Sequence, residues 1–92
     1  MIVKYYADLR DTVGSRQAEF NLPPGSTLRQ LVAEMAARYP ALEAKILDHD
    51  GNLHSHIHIF VNGRDSGFLD DALDTVLDPG ATISVFPPVG GG

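Results

Sequence analysis

The chain has no cysteine. That excludes a disulfide framework, a thiolate metal site and a cysteine nucleophile. If such a chain handles sulfur, no side-chain thiol carries it, which leaves the terminal carboxylate. Basic residues are few: seven Lys and Arg against twelve Asp and Glu, for a net charge of −5 and a pI near 5.1. The seven are scattered, so no basic patch marks a nucleic-acid partner. No apolar run approaches the roughly 18 residues that would span a membrane. The opening MIVKYYADLR shows no basic segment leading into an apolar one, so no secretory leader is read, and the cytoplasm is the expected location. Catalytic signatures are missing too. There is no G-x-S-x-G elbow and no glycine loop between a strand and a helix, so neither a serine nucleophile nor a phosphate cradle is expected.

What is present suits one small domain. Ninety-two residues with 43% hydrophobic content allow a single modest core. IVKYYA is rich in β-branched and aromatic residues and reads as a strand, with Val3 and Tyr5 on one face and Ile2, Lys4 and Tyr6 on the other. DTVGSRQ reads as turn material around Gly14. A second strand from about Gln17 to Leu22 then forms a hairpin with the first. Thr27 and Gln30 have the spacing of a capping box. Leu28, Leu31, Val32, Met35, Ala36 and Tyr39 follow on one helical stripe, and Pro40 ends it. ALEAKIL suggests a further short helix, and DHDGN a loop.

HIHIFV reads as a strand, and Asn62-Gly63 after it is a hairpin signal. A short return strand is expected near Ser66–Leu69, a helical turn in DDALDTVL and a tight turn at Asp78-Pro79-Gly80. The last strand is TISVF, with Ile83 and Val85 inward and Ser84 and Phe86 outward. Hairpin, helix, strand, short strand, strand is the order of an α+β ubiquitin-like β-grasp, a mixed sheet of four to five strands on one main helix. Element order by itself leaves ferredoxin-like folds as rivals. The expected core joins Val3, Leu28, Leu31, Val32, Met35, Ile59, Val61, Ile83 and Val85. The expected division is a domain over 1–86 and a tail over 87–92.

Two clusters invite chemistry. His54, His56 and His58 alternate, so on a strand they would share one face, with neighbours about 6.5–7 Å apart. No carboxylate or thiolate nearby completes a tetrahedral set, so no metal is expected, and an outward sheet face is the favoured reading. Phe60 shares that face, which makes it a candidate partner surface. Asp70, Asp71, Asp74 and Asp78 are sparse and read as a solvated, turn-rich edge.

The end of the chain is different. FPPVGGG sets two stiff prolines before three glycines. Proline holds the chain extended, and glycine adds reach without bulk. Such a tip suits a narrow channel and presents a carboxylate that is inert until activated.

VFPPVGGG resembles the ending of the MoaD/ThiS family of ubiquitin-like sulfur carriers. FVNGRD, LDTVLDPGATISVFPP and the opening YYADLRD are similar to further segments of that family, so the likeness covers the whole chain. The resemblance implies that Gly92 carries an acyl-adenylate and then a thiocarboxylate, with Gly91 and Gly90 giving access. It implies a partner adenylyltransferase of the ubiquitin-activating type, MoeB/ThiF-like, that holds ATP and Mg²⁺, while the chain itself binds no cofactor. It also implies a sulfur acceptor, either a MoaE-type large subunit that builds molybdopterin or a cysteine-synthase-like enzyme. Phe86, Pro87, Pro88, Val89, Phe60 and Tyr6 would meet those partners. The longer, histidine-rich stretch from Gly51 to Leu77 looks closer to CysO-like carriers, whereas the Pro-Pro ending favours the MoaD type. A ubiquitin-like modifier joined to target lysines needs the same tail, and a plain interaction module is the third reading.

Overall fold

The computed structural model describes residues 1–54, 56–68 and 71–87. Its elements in chain order are β1 (Ile2–Tyr5), α1 (Leu9–Val13), β2 (Gln17–Glu19), α2 (Leu28–Arg38), α3 (Pro40–Ile46), β3 (His58–Val61), β4 (Arg64–Asp65) and β5 (Thr82–Phe86). Single 3₁₀ turns occupy Ser66–Phe68 and Ala72–Asp74. The sheet runs β2-β1-β5-β3-β4. β5 lies parallel to β1 and antiparallel to β3, and the outer pairs are antiparallel. This is the ubiquitin-like β-grasp of the sequence reading, with five strands and two packed helices behind them.

α2 forms where its stripe and cap require. The Thr27 side chain accepts from the Gln30 N–H, the Gln30 side chain accepts from the Thr27 N–H, and Leu28, Leu31, Val32, Met35 and Ala36 are buried against the sheet. Pro40 does two jobs. It cannot continue α2, and it opens α3 at the first helical position, where a missing N–H costs nothing. α3 adds Leu42 and Ile46 to the core, both fully buried. From the sheet come Val3, Tyr5, Ile59, Ile83 and Val85, each buried, which leaves the alternate residues of β1, β3 and β5 on the outer face. No helix among the described residues is long and apolar enough to cross a membrane.

Several expectations need correction. The segment before Gly14 is not turn material but α1. Leu9 is buried, and Gly14 ends the helix at φ 81 with its N–H on the Arg10 carbonyl. β2 stops at Glu19 instead of Leu22: the pairing with β1 runs only to Met1, which bonds the Phe20 backbone, and the Phe20 ring turns into the core. β3 begins at His58 instead of His56, and its return partner is Arg64–Asp65, directly after the two-residue turn. Asn62 at φ 50 and Gly63 at φ 86 make that turn so tight that the return strand starts at once. Ser66 then begins a 3₁₀ turn where a strand was expected, and Leu69 and Asp70 lie outside the described residues. Val61 packs against the core but is only partly buried.

Candidate functional site

Strand alternation and register assemble one aromatic group on the outer face. β5 carries Phe86 outward at its last position, opposite His58 of β3 and just past the Tyr5–Val85 pair of the parallel ladder. Tyr6, which follows β1, therefore arrives beside Phe86. Their rings stack at 4.2 Å with planes 12° apart. Phe60, paired to Ser84, meets Phe86 edge-on at 5.3 Å and 71°. Offset and edge-to-face pairs of this kind satisfy the ring quadrupoles, so the three aromatics hold one another in place without entering the core. All three are half-buried, and so is Pro87. The sequence placed Tyr6, Phe60 and Phe86 on one face, and the structure brings them into contact.

The flanks of this group are polar and fixed. Arg10 of α1 donates its Nε–H to the Tyr5 carbonyl at 2.9 Å and sets its guanidinium 5.3 Å from the Tyr6 ring centroid. At the other end, His58 Nδ1 lies 3.0 Å from Asp65 Oδ2, and the Gly67 N–H donates to Asp65 Oδ1 at 2.9 Å. Neither flank was read from the sequence. Arg10 was missed with α1, although Leu9 and Val13 one helical turn apart, ahead of a glycine stop, were the available signal. The His58–Asp65 pair depends on the Asn62-Gly63 turn and on the outward alternation of two short strands, which composition does not reveal.

The row of three histidines does not form. Leu53 bridges back to Leu47, the His54 N–H donates to the Ile46 carbonyl at 2.7 Å, and the Ile57 N–H donates to the His54 carbonyl at 3.0 Å. The chain is turning there, and burial of Ile57 fixes the turn. The His54 and His56 rings come within 6.0 Å of each other, while His58 stands alone on the strand against Asp65. Among the described residues no three His, Asp or Glu side chains converge as metal ligands would. Asp74, from the acidic run, pairs with Arg29 at 3.1 Å on the surface.

The remaining expected site residues, Pro88, Val89, Gly90, Gly91 and Gly92, lie outside the described residues. What the structure locates is their root: β5 delivers the chain to Pro87 at the edge of the aromatic group.

With this geometry in hand, comparison with known proteins gives the family. The model of the ThiS family matches residues 3–92, and the chain belongs to that family. Small archaeal modifier protein 1 from Haloferax volcanii superimposes with a TM-score of 0.87 at 31% identity, over 99% of this chain and 97% of that one. A structure described as putative molybdopterin converting factor, subunit 1, from Pyrococcus furiosus gives a TM-score of 0.75 at 32% identity, over 96% of this chain and 95% of that one. A putative sulfur carrier protein from Archaeoglobus fulgidus is 38% identical over 66 residues, 72% of this chain and 74% of that protein. The chain is thus a ubiquitin-like protein of the sulfur-carrier and small-modifier family.

Proposed function

We propose that this chain is a cytoplasmic sulfur carrier whose reacting group is the Gly92 carboxylate. The observation that carries the reading is the FPPVGGG ending, whose Phe86 β5 places within an aromatic face, in a chain whose family match runs to Gly92. The chemistry follows from the carboxylate. A partner adenylyltransferase that binds ATP and Mg²⁺ lets a carboxylate oxygen attack the α-phosphorus, which releases pyrophosphate and leaves an acyl-adenylate. Sulfide then attacks the acyl carbon directly, or a persulfide attacks it to give an acyl disulfide whose S–S bond a second thiol cleaves, the two thiols leaving as a disulfide. AMP leaves, and a thiocarboxylate remains. Tyr6, Phe60 and Phe86 provide the docking surface, while Pro87 and Pro88 keep the tip from folding back, so little entropy is lost when it enters a channel.

The acceptor reading is a molybdopterin precursor, delivered through a MoaE-type large subunit, and it is supported by the likeness to the Pyrococcus furiosus factor. A cysteine-synthase-like acceptor is the alternative within the same chemistry. The relatives named small archaeal modifier proteins support a second reading equally: a target lysine amine, in place of sulfur, attacks the acyl-adenylate and forms an isopeptide bond as AMP leaves.

Intact mass spectrometry separates these readings. With ATP, Mg²⁺, the adenylyltransferase and sulfide, a carrier exchanges one oxygen for one sulfur, whereas a modifier forms covalent adducts on other proteins. Gly91→Val and removal of Gly92 are expected to abolish loading at unchanged melting temperature. Phe60→Ala is expected to raise the KM for the adenylyltransferase with little loss of stability. Loading and sulfur delivery by the chain lacking Gly92, at the level of the intact protein, would overturn the proposal.

A further inference from the structure

The sheet is open, so its first and last strands, β2 and β4, offer backbone groups to any passing strand. On β2 the outward groups can be identified. The Tyr5 N–H donates to the Arg16 carbonyl, the Phe20 N–H to the Met1 carbonyl, and Val3 pairs with Ala18. Residues 16, 18 and 20 thus face β1, and by alternation the backbone of Gln17 and Glu19 faces away from the sheet. Both of those carbonyls are occupied. Arg38, the last residue of α2, donates Nη1–H to the Glu19 carbonyl at 2.8 Å and lays its guanidinium 3.8 Å from the Phe20 ring centroid. Ser15 donates its hydroxyl to the Gln17 carbonyl at 2.8 Å. At the other edge β4 is only two residues long, and the chain turns away as the Asp65 carboxylate takes the Gly67 N–H.

The geometry points to Arg38 as a latch that closes the β2 edge against strand addition by a second copy of this chain. A second copy is the relevant strand donor because its own β2 edge is identical, and two such edges meet antiparallel about a twofold axis. Pairing there uses the Glu19 carbonyl as an acceptor, and an incoming N–H must share that oxygen with Arg38 or displace the Arg38 guanidinium from it. The Phe20 ring gives the latch its direction, because the guanidinium plane packs on the ring while one N–H reaches the strand. Docking is thereby left to the faces of the sheet, where the aromatic group lies, and the inference does not depend on the proposed function.

The test compares wild type with Arg38→Ala and Arg38→Met by sedimentation over a wide concentration range, with amide hydrogen exchange at Gln17 and Glu19. Methionine keeps an apolar stem over Phe20 but has no donor, so it opens the edge without baring the ring. Arg38→Met is expected to associate at concentrations where wild type does not, with Gln17 and Glu19 exchanging about tenfold more slowly in the associated form. Ser15→Ala in the same chain strengthens the association. Folded Arg38→Met that associates no more than wild type overturns the inference. So does association that leaves Gln17 and Glu19 exchange unchanged, since contact then forms elsewhere. If Arg38→Ala fails to fold, Arg38→Met decides alone.

Discussion

Tyr5 carries a hydroxyl into the core and finds no hydrogen-bond partner for it among the described residues. Burial, and then the neighbouring Tyr39 that meets it edge-on at 6.2 Å, push that hydroxyl well above the usual phenol value, against a smaller opposing effect of Arg38. The sign follows directly. The folded chain holds the Tyr5 proton more tightly than the unfolded chain, which releases it near 10.0. Between that value and the raised folded one, the unfolded state binds fewer protons, so stability falls as pH rises above 10. Tyr5→Phe removes both the unmet hydroxyl and this loss. Chemical denaturation is expected to show equal or greater stability at neutral pH, by up to about 1 kcal/mol, and a shallower decline than wild type above pH 10. An unchanged decline would mean that other groups cause it.

At the scale of elements, what was legible in the sequence was whatever a local pattern controls. The capping box and stripe of α2, the alternation of β5 and the Asn62-Gly63 turn each depend on residues a few positions apart, and each was found where expected. The failures are segments where distant contacts override the local pattern. HIHIFV has strand composition throughout, but its first two residues are drawn into a turn by the His54 carbonyl, which accepts the Ile57 N–H, and by the burial of Ile57. β2 ends short of Leu22 because its pairing with β1 runs only to Met1, which exchanges backbone hydrogen bonds with Phe20 while the Phe20 ring is buried in the core. The aromatic face of the candidate site was readable because it rests on strand alternation; its flanks, Arg10 and the His58–Asp65 pair, were not, because they rest on how elements meet. α1 was a local pattern overlooked, and its stop can be tested. A Cβ at Gly14 would meet nothing within 4 Å, so Gly14→Ala acts only through backbone conformation at φ 81. A loss of about 1–2 kcal/mol in denaturation is expected, with Tyr6 ring signals shifting in nuclear magnetic resonance as Arg10 moves.

For the molecule as a whole, the decisive feature is that the last of the described strands in chain order lies in the middle of the sheet. β5 supplies Ile83 and Val85 to the core, and both β1 and β3 pair with it on opposite sides. A chain ending at Gly80 therefore keeps two separate two-stranded ribbons, each marginal alone. It is expected to show no cooperative melting in calorimetry, whereas cooperative unfolding of that truncation would mean the helices organise the core unaided. During synthesis this arrangement sets an order of events. The amino-terminal strands leave the ribosome with their central neighbour still unmade, and the sheet closes only after residue 86 has emerged. A message cut short or a stalled ribosome thus yields a chain that exposes apolar surface and is open to proteolysis, while one that has reached its last strand can fold. Any partner that docks on the closed sheet would therefore meet only chains synthesised through β5.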